Sequence, residues 1–247
     1  MIKSGKMRTV ILLAFYVITI ILVSPVLVVL WALGKKDSVL DIGKWVMGVS
    51  RWILGIKIEV EGLENVDPAR SYVYMANHVS FLDGPLLFYV IPQRVRVILK
   101  KSIFRIPVAG QTMRFIGFIP IDKKSMSGGR RSIDKAVQAI KEKGYSFLIF
   151  PEGTRSRDGK LHKFKRGGFF LAIAAQVPII PVTIKGTFEL MPRGRIFVRQ
   201  GKIKVIFHPP IETAGKILAD IPALITQVAQ TITVTQGTEY YVTDSIA

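Results

Sequence analysis

From Val10 to Leu33 the chain runs 24 residues, VILLAFYVITIILVSPVLVVLWAL, without a charged side chain. At about 1.5 Å per residue, a helix of that length crosses a bilayer hydrocarbon core of roughly 30 Å. The run exceeds the apolar stretch of about 7 to 15 residues found in secretory signals, and no small-residue cleavage site follows it, so it is expected to be retained. Ser24-Pro25 lies in its middle, and a proline removes one helical hydrogen bond and is expected to kink the helix there. Lys3, Lys6 and Arg8 precede the run and Lys35 and Lys36 follow it. Positive charge on both sides gives no orientation across a membrane.

The next segment is patterned differently. Asp37, Asp41, Lys44, Gly48 and Arg51 recur at helical spacing and form one polar stripe, opposite Val39, Leu40, Ile42, Val46, Met47, Trp52, Ile53 and Leu54. This predicts a helix lying in the headgroup plane with its apolar side in lipid. A helix packed on the rest of the chain fits the same stripe. Together the two helices are expected to make a membrane anchor over residues 1–55, sunk into one leaflet, with a single span as the alternative.

After Gly55 short apolar runs alternate with helical stretches, the pattern of a mixed α/β sheet flanked by helices in one domain, residues 56–247. Strands are predicted at 56–60, 72–76, 95–99, 118–121, 147–150 and 179–184. Arg195 to Arg199 and Ile203 to Phe207 read as a hairpin across Gln200-Gly201. Helices are predicted at 85–90, 108–115, 131–143, 169–176 and 222–233.

Cysteine is absent, which excludes disulfides, thiolate metal sites and a thiol nucleophile. The formal charge is +18, from 35 Lys and Arg against 17 Asp and Glu. It is concentrated between Arg94 and Arg166, where 19 basic residues face five acidic ones. An excess of that kind points to an anionic partner: nucleic acid, lipid headgroups or a phosphorylated substrate.

Two motifs carry chemistry. The strand ending at Ala76 leads into Asn77-His78-Val79-Ser80-Phe81-Leu82-Asp83. Five residues apart, His78 and Asp83 would sit about 140° apart on a regular helix and on opposite faces of a strand, so they meet only across a turn. Asp83-Gly84-Pro85 supplies a helix start after such a turn. A carboxylate on an imidazole fixes its tautomer and leaves the other nitrogen free to take a proton. The same Asp reads equally as a helix cap beside an incidental His. The second motif, Phe150-Pro151-Glu152-Gly153-Thr154-Arg155-Ser156, follows another strand; Gly153 allows close backbone approach and Arg155 offers a fork for phosphate. His162, in a basic run, and His208, at a strand end, are expected to be structural.

In combination, residues 77–83, Gly117-Phe118-Ile119-Pro120-Ile121-Asp122-Lys123, residues 150–156 and Val177-Pro178-Ile179-Ile180-Pro181-Val182 resemble the four ordered blocks of the glycerolipid acyltransferases, in particular the 1-acylglycerol-3-phosphate (lysophosphatidate) acyltransferase branch. The resemblance covers residues 55–210. It implies transfer of a fatty acyl group from an acyl thioester, acyl-CoA or acyl carrier protein, to the sn-2 hydroxyl, giving phosphatidic acid. By resemblance His78 is the general base and Asp83 its partner, while Lys123, Glu152, Gly153, Thr154 and Arg155 hold the acceptor phosphate. Lys123 stands where the family usually has Arg and lacks the bidentate fork.

No cofactor or metal is implied, since the histidines are isolated from one another. The implied partners are a membrane lipid substrate, the thioester donor and the anionic cytoplasmic leaflet, with the catalytic domain on the cytoplasmic side of the cell membrane. Another lysophospholipid or glycerol-3-phosphate is an alternative acceptor. A membrane-tethered anion-binding protein is a rival, but Phe104, Phe115 and Phe164 are too scattered to stack bases, so nucleic acid is not expected. A metal-dependent hydrolase is a weaker rival, because His78, Asp83 and Glu152 make a poor ligand set.

Overall fold

The computed structural model describes residues 2–122 and 126–237. The uncharged run forms α1 (Ile2–Ala32), followed by α2 (Lys36–Leu54), β1 (Ile56–Glu61), β2 (Val73–Ala76), α3 (Asp83–Val90), β3 (Arg96–Lys100), α4 (Ala109–Phe115) and β4 (Ile119–Ile121). Then come α5 (Met126–Lys143), β5 (Phe147–Ile149), α6 (Gly167–Ala175), β6 (Ile179–Lys185), the short α7 (Thr187–Leu190), β7 (Gly201–Phe207) and α8 (Ile221–Gln236).

The seven strands make one mixed sheet in the order β1-β7-β6-β2-β5-β3-β4. Every neighbouring pair is parallel except β6 with β7. Alternate residues of each strand feed opposite faces. Tyr74, Leu148, Ile180 and Val205 pack with Leu86 and Leu87 of α3 on one side, and Val73, Phe147 and Ile179 pack with Phe169, Leu224 and Val228 on the other. The central strands are buried on both faces, which explains their continuous apolar sequences. Because β2 and β5 are parallel neighbours, the loops leaving them emerge side by side.

Helix α1 continues through Pro25, with the Ser24 hydroxyl bonded to the carbonyl of Ile20. Within Gly5–Ala32 the most apolar 18 residues have mean hydropathy 2.8, and none of them is buried against the chain. Length and composition suit membrane insertion here, and here alone among the described helices. The two-helix anchor therefore reduces to one candidate helix.

The polar stripe of α2 reaches partners on the sheet domain, although Asp37 and Asp41 stay about half exposed and the residues α2 buries include Val39, Leu40 and Leu54 of its apolar face. Asp41 pairs with Arg94 at 3.0 Å, Asp37 approaches buried Arg96 at 3.4 Å, and Lys44 Nζ donates to the carbonyls of Ile91 and Gln93. The charges expected to meet headgroups are thus spent on docking α2 to the sheet domain, with Trp45 and Trp52 left exposed.

The expected 195–207 hairpin also fails. A turn at Pro192–Arg195 precedes its first arm, and the amides of Val198 and Arg199 bond Thr9 Oγ1 and the Leu190 carbonyl instead of a strand. Residues 191–200 form a loop, and β7 inserts between β1 and β6.

Candidate active site

As β2 ends, the Asn77 side chain replaces the ladder: its Nδ2 donates to the Ile184 carbonyl at 2.9 Å and its Oδ1 accepts from the Ile184 amide at 2.8 Å. This amide bridge to β6 holds the exit of β2 where the backbone pairing stops. The chain then turns, and Asp83, the first residue of α3, faces back. Asp83 Oδ2 accepts from Val79 N at 2.8 Å, from Ser80 N at 2.7 Å and from His78 Nδ1 at 2.9 Å. The expected turn thus forms around the carboxylate itself. Asp83 is fully buried, while the His78 side chain retains 20% of its exposure. With Nδ1–H donating to Asp83, the imidazole of His78 carries its lone pair on Nε2.

The loop leaving β5 completes the frame. The Phe150 ring lies flat on the His78 imidazole, with centroids 4.0 Å apart and planes 19° apart. Ser156 N donates to the His78 carbonyl at 2.8 Å, and Glu152 Oε1 accepts from the His78 amide at 2.7 Å. Both peptide groups of His78 and one ring face are thereby fixed from the neighbouring strand. Phe150 and Ser156 belong to the quoted motif, but no spacing rule marks them as supports for His78.

Glu152, expected to help hold the acceptor phosphate, has both carboxylate oxygens engaged by backbone amides. It is 3% exposed, and its second oxygen accepts from the His162 amide at 3.1 Å. Burial pushes its carboxyl up to about 7, against the pull of the two amide donors. Its chemistry is positional: it clips the loop after β2 to the basic run around His162. Gly153 adopts φ +72°, and a Cβ there would meet the Lys165 side chain at 3.1 Å. Thr154 is exposed, and the Arg155 guanidinium stands 5.7 Å over the exposed Phe81 ring. Arg193, not singled out by any motif, donates to the Arg155 carbonyl at 2.9 Å. Lys123 lies outside the described residues.

The remaining histidines occupy other settings. His162 Nε2 meets Asp158 at 3.0 Å, and Asp158 is held down to about 2, chiefly by the Ser156 hydroxyl. Half-buried His208 lies 2.8 Å from Thr183 Oγ1, and burial lowers its pKa. The fourth block is the buried strand β6. Among the described residues no group of three His, Cys, Asp or Glu side chains is placed to hold a metal ion.

A single proton acceptor, oriented by a buried carboxylate and bordered by arginines, suits proton transfer from a substrate bearing an anionic group. Comparison with known proteins points the same way. A family model described as Acyltransferase matches residues 57–185, just over half of the chain. The chain is 38% identical over 157 residues to the chloroplastic 1-acyl-sn-glycerol-3-phosphate acyltransferase BAT2 of Brassica napus, covering 63% of this chain and 45% of that protein. It is 34% identical over 170 residues to the mouse 1-acyl-sn-glycerol-3-phosphate acyltransferase alpha, covering 68% and 60%. The chain therefore spans about half the length of these relatives. In three dimensions it resembles the crystal structure of the 1-acyl-sn-glycerophosphate acyltransferase PlsC from Thermotoga maritima. That match has a TM-score of 0.80 and 24% identity, over 94% of this chain and 96% of that one.

Proposed function

Since the chain belongs to the acyltransferase family, we propose that it esterifies the sn-2 hydroxyl of 1-acylglycerol-3-phosphate with a fatty acyl group from an acyl thioester, forming phosphatidic acid. The observation that carries this reading is the His78 Nδ1 to Asp83 Oδ2 contact of 2.9 Å, which leaves Nε2 to act as base. His78 Nε2 takes the acceptor's hydroxyl proton while the oxygen attacks the thioester carbonyl. The tetrahedral intermediate then collapses, the C–S bond breaks, and the imidazolium returns the proton to the departing thiolate. Asp83 stabilises the transient imidazolium. The thioester arrives activated, so the reaction calls for no cofactor.

Arg155, with Thr154, Gly153 and Lys123, is assigned to the acceptor's phosphate, and Glu152 to holding His78. The donor is acyl-CoA or acyl carrier protein. Both lipids reside in the bilayer, and α1 suits anchoring there, so the enzyme works at the cell membrane with its site on the cytoplasmic side, against the anionic leaflet.

The test is to supply purified protein with each donor and a panel of 1-acylglycerol-3-phosphate, other lysophospholipids, glycerol-3-phosphate and monoacylglycerol, reading products by mass spectrometry. Phosphatidic acid is expected with the wild type. His78→Ala is expected to remove general-base catalysis worth roughly 10²- to 10⁴-fold while folding normally. Wild-type turnover in that variant would overturn the mechanism, and acylation of a different acceptor alone would overturn the substrate.

A further inference from the structure

Residues 191–200, the loop that replaces the expected hairpin arm, combine two exposed apolar side chains with three exposed arginines. Ile196 is 74% exposed and Phe197 is 45% exposed, while Arg193, Arg195 and Arg199 surround them without an acidic residue in the segment. A soluble surface gains nothing from presenting adjacent Ile and Phe to water, and such side chains rimmed by cations mark an interaction site.

The loop's attachments say what covers it. At one end Ser80 Oγ donates to the Met191 carbonyl at 2.7 Å, Ser80 bridges to Pro192, and Arg193 reaches the Arg155 carbonyl. At the other end it lies against the first turns of α1. Val198 N approaches Thr9 Oγ1 at 3.4 Å, and Lys6 Nζ stands 5.6 Å over the Phe197 ring. Gly5 is needed there, because a Cβ would come within 2.9 Å of the Val198 carbonyl oxygen. The exposed apolar pair therefore sits beside the first turns of α1, the helix that goes on to expose Val10, Leu13 and Val17, and is joined by a few residues to the loop bearing His78.

We infer that the 191–200 loop is a second membrane contact, dipping Ile196 and Phe197 below the headgroups of an anionic bilayer while Arg193, Arg195 and Arg199 engage lipid phosphates. The inference rests on the membrane-bound reading above. Cations at a negatively charged surface contribute favourably, and side chains buried just below the headgroups add the hydrophobic part. The loop would set the catalytic mouth at the level of the lipid phosphates, where the acceptor's hydroxyl lies.

The chain has no cysteine, so single nitroxide labels can be placed at Ile196→Cys, Val17→Cys on α1 and Val234→Cys, an exposed position on α8 across the sheet from α2. Full-length protein is reconstituted in vesicles of phosphatidylcholine and phosphatidylglycerol, and electron paramagnetic resonance saturation is measured with oxygen and with a water-soluble nickel chelate. The Ile196 label is expected to be oxygen-accessible and nickel-shielded like the Val17 label, with the Val234 label showing the reverse. It is expected to lie shallower in phosphatidylcholine alone, and equal depth in both vesicles would overturn the anionic assignment. An Ile196 label as open to nickel as the Val234 label overturns the inference when the Val17 label is shielded. Nickel access at both Ile196 and Val17 overturns the membrane reading with it. Neither readout depends on acyl transfer, so an inactive preparation cannot be mistaken for a failed contact.

Discussion

Replacing Asp83 with Asn tests what the buried carboxylate contributes. Oδ2 receives three donors, His78 Nδ1–H and the amides of Val79 and Ser80, whereas Oδ1 is buried with no hydrogen-bond partner among the described residues. An Asn therefore seats its oxygen at the Oδ2 position, because the flipped amide would aim N–H groups at three donors. The His78 tautomer survives in this arrangement, and what disappears is the negative charge. At an effective dielectric of about 20, a full imidazolium charge in contact with a carboxylate gains about 4 to 5 kcal/mol. Only part of that charge has developed at the transition state, so about 3 kcal/mol is lost and kcat falls roughly 10²-fold. The NH₂ group placed at Oδ1 costs a further 1 to 3 kcal/mol, approximately, in stability. Turnover is read as thiol released from acyl-CoA with a disulfide chromogen, without background because the chain has no cysteine. An Asn variant with wild-type kcat refutes the charge argument. A folded Asn variant whose kcat falls by roughly 10⁴-fold or more refutes the preserved tautomer.

Glu152→Gln bears on pH. The folded carboxyl is raised to about 7 above an ordinary value near 4.5, so its stabilising effect is fully present below the lower value and is lost as pH rises through about 7, on the order of 3 kcal/mol. Between pH 5 and 8 in detergent, wild-type unfolding midpoints should fall relative to Glu152→Gln, and parallel curves would refute the assignment. Arg155→Ala should lower kcat/KM for 1-acylglycerol-3-phosphate by roughly 10- to 100-fold, less at high salt, and leave monoacylglycerol untouched; equal losses on both would remove Arg155 from the phosphate site. Phe150→Leu gives up a ring stack of about 0.5 to 1.5 kcal/mol, so kcat should fall up to about tenfold with KM steady, and an unchanged kcat would show that the stack does not position His78.

Much of the site was legible because it is local. His78 and Asp83 are five residues apart, and the turn between them follows from geometry and from Asp83-Gly84-Pro85. The sheet was equally readable, since strands buried on both faces are continuous apolar runs. What escaped depends on contacts distant in sequence. The polar stripe of α2 identifies a polar face but not its partner, and only the fold shows Arg94 and Arg96 waiting for Asp41 and Asp37. Glu152 sits in a motif that suggests phosphate, yet its oxygens are taken by amides 74 and 10 residues away. The apolar run within 195–199 before Gln200-Gly201 suggested a hairpin arm, but a strand needs a partner, and the neighbouring places beside β7 are already filled by β1 and β6.

The insertion of β7 between β1 and β6 also governs the order in which the protein can be assembled. Among the described residues strand β1 has no neighbour in the sheet except β7, whose register pairs Ile56 with Gly201 and Glu61 with Ile206. About 140 residues separate the partners, which at roughly 5 to 20 residues per second is on the order of ten seconds of synthesis. Throughout that interval the first strand waits unpaired beside α2, while the centre of the sheet, β2, β5 and β6, closes first. A nascent chain stopped short of Gly201 would hold the strands of the candidate site but leave β1 as an open edge beside α2, an arrangement exposed to aggregation.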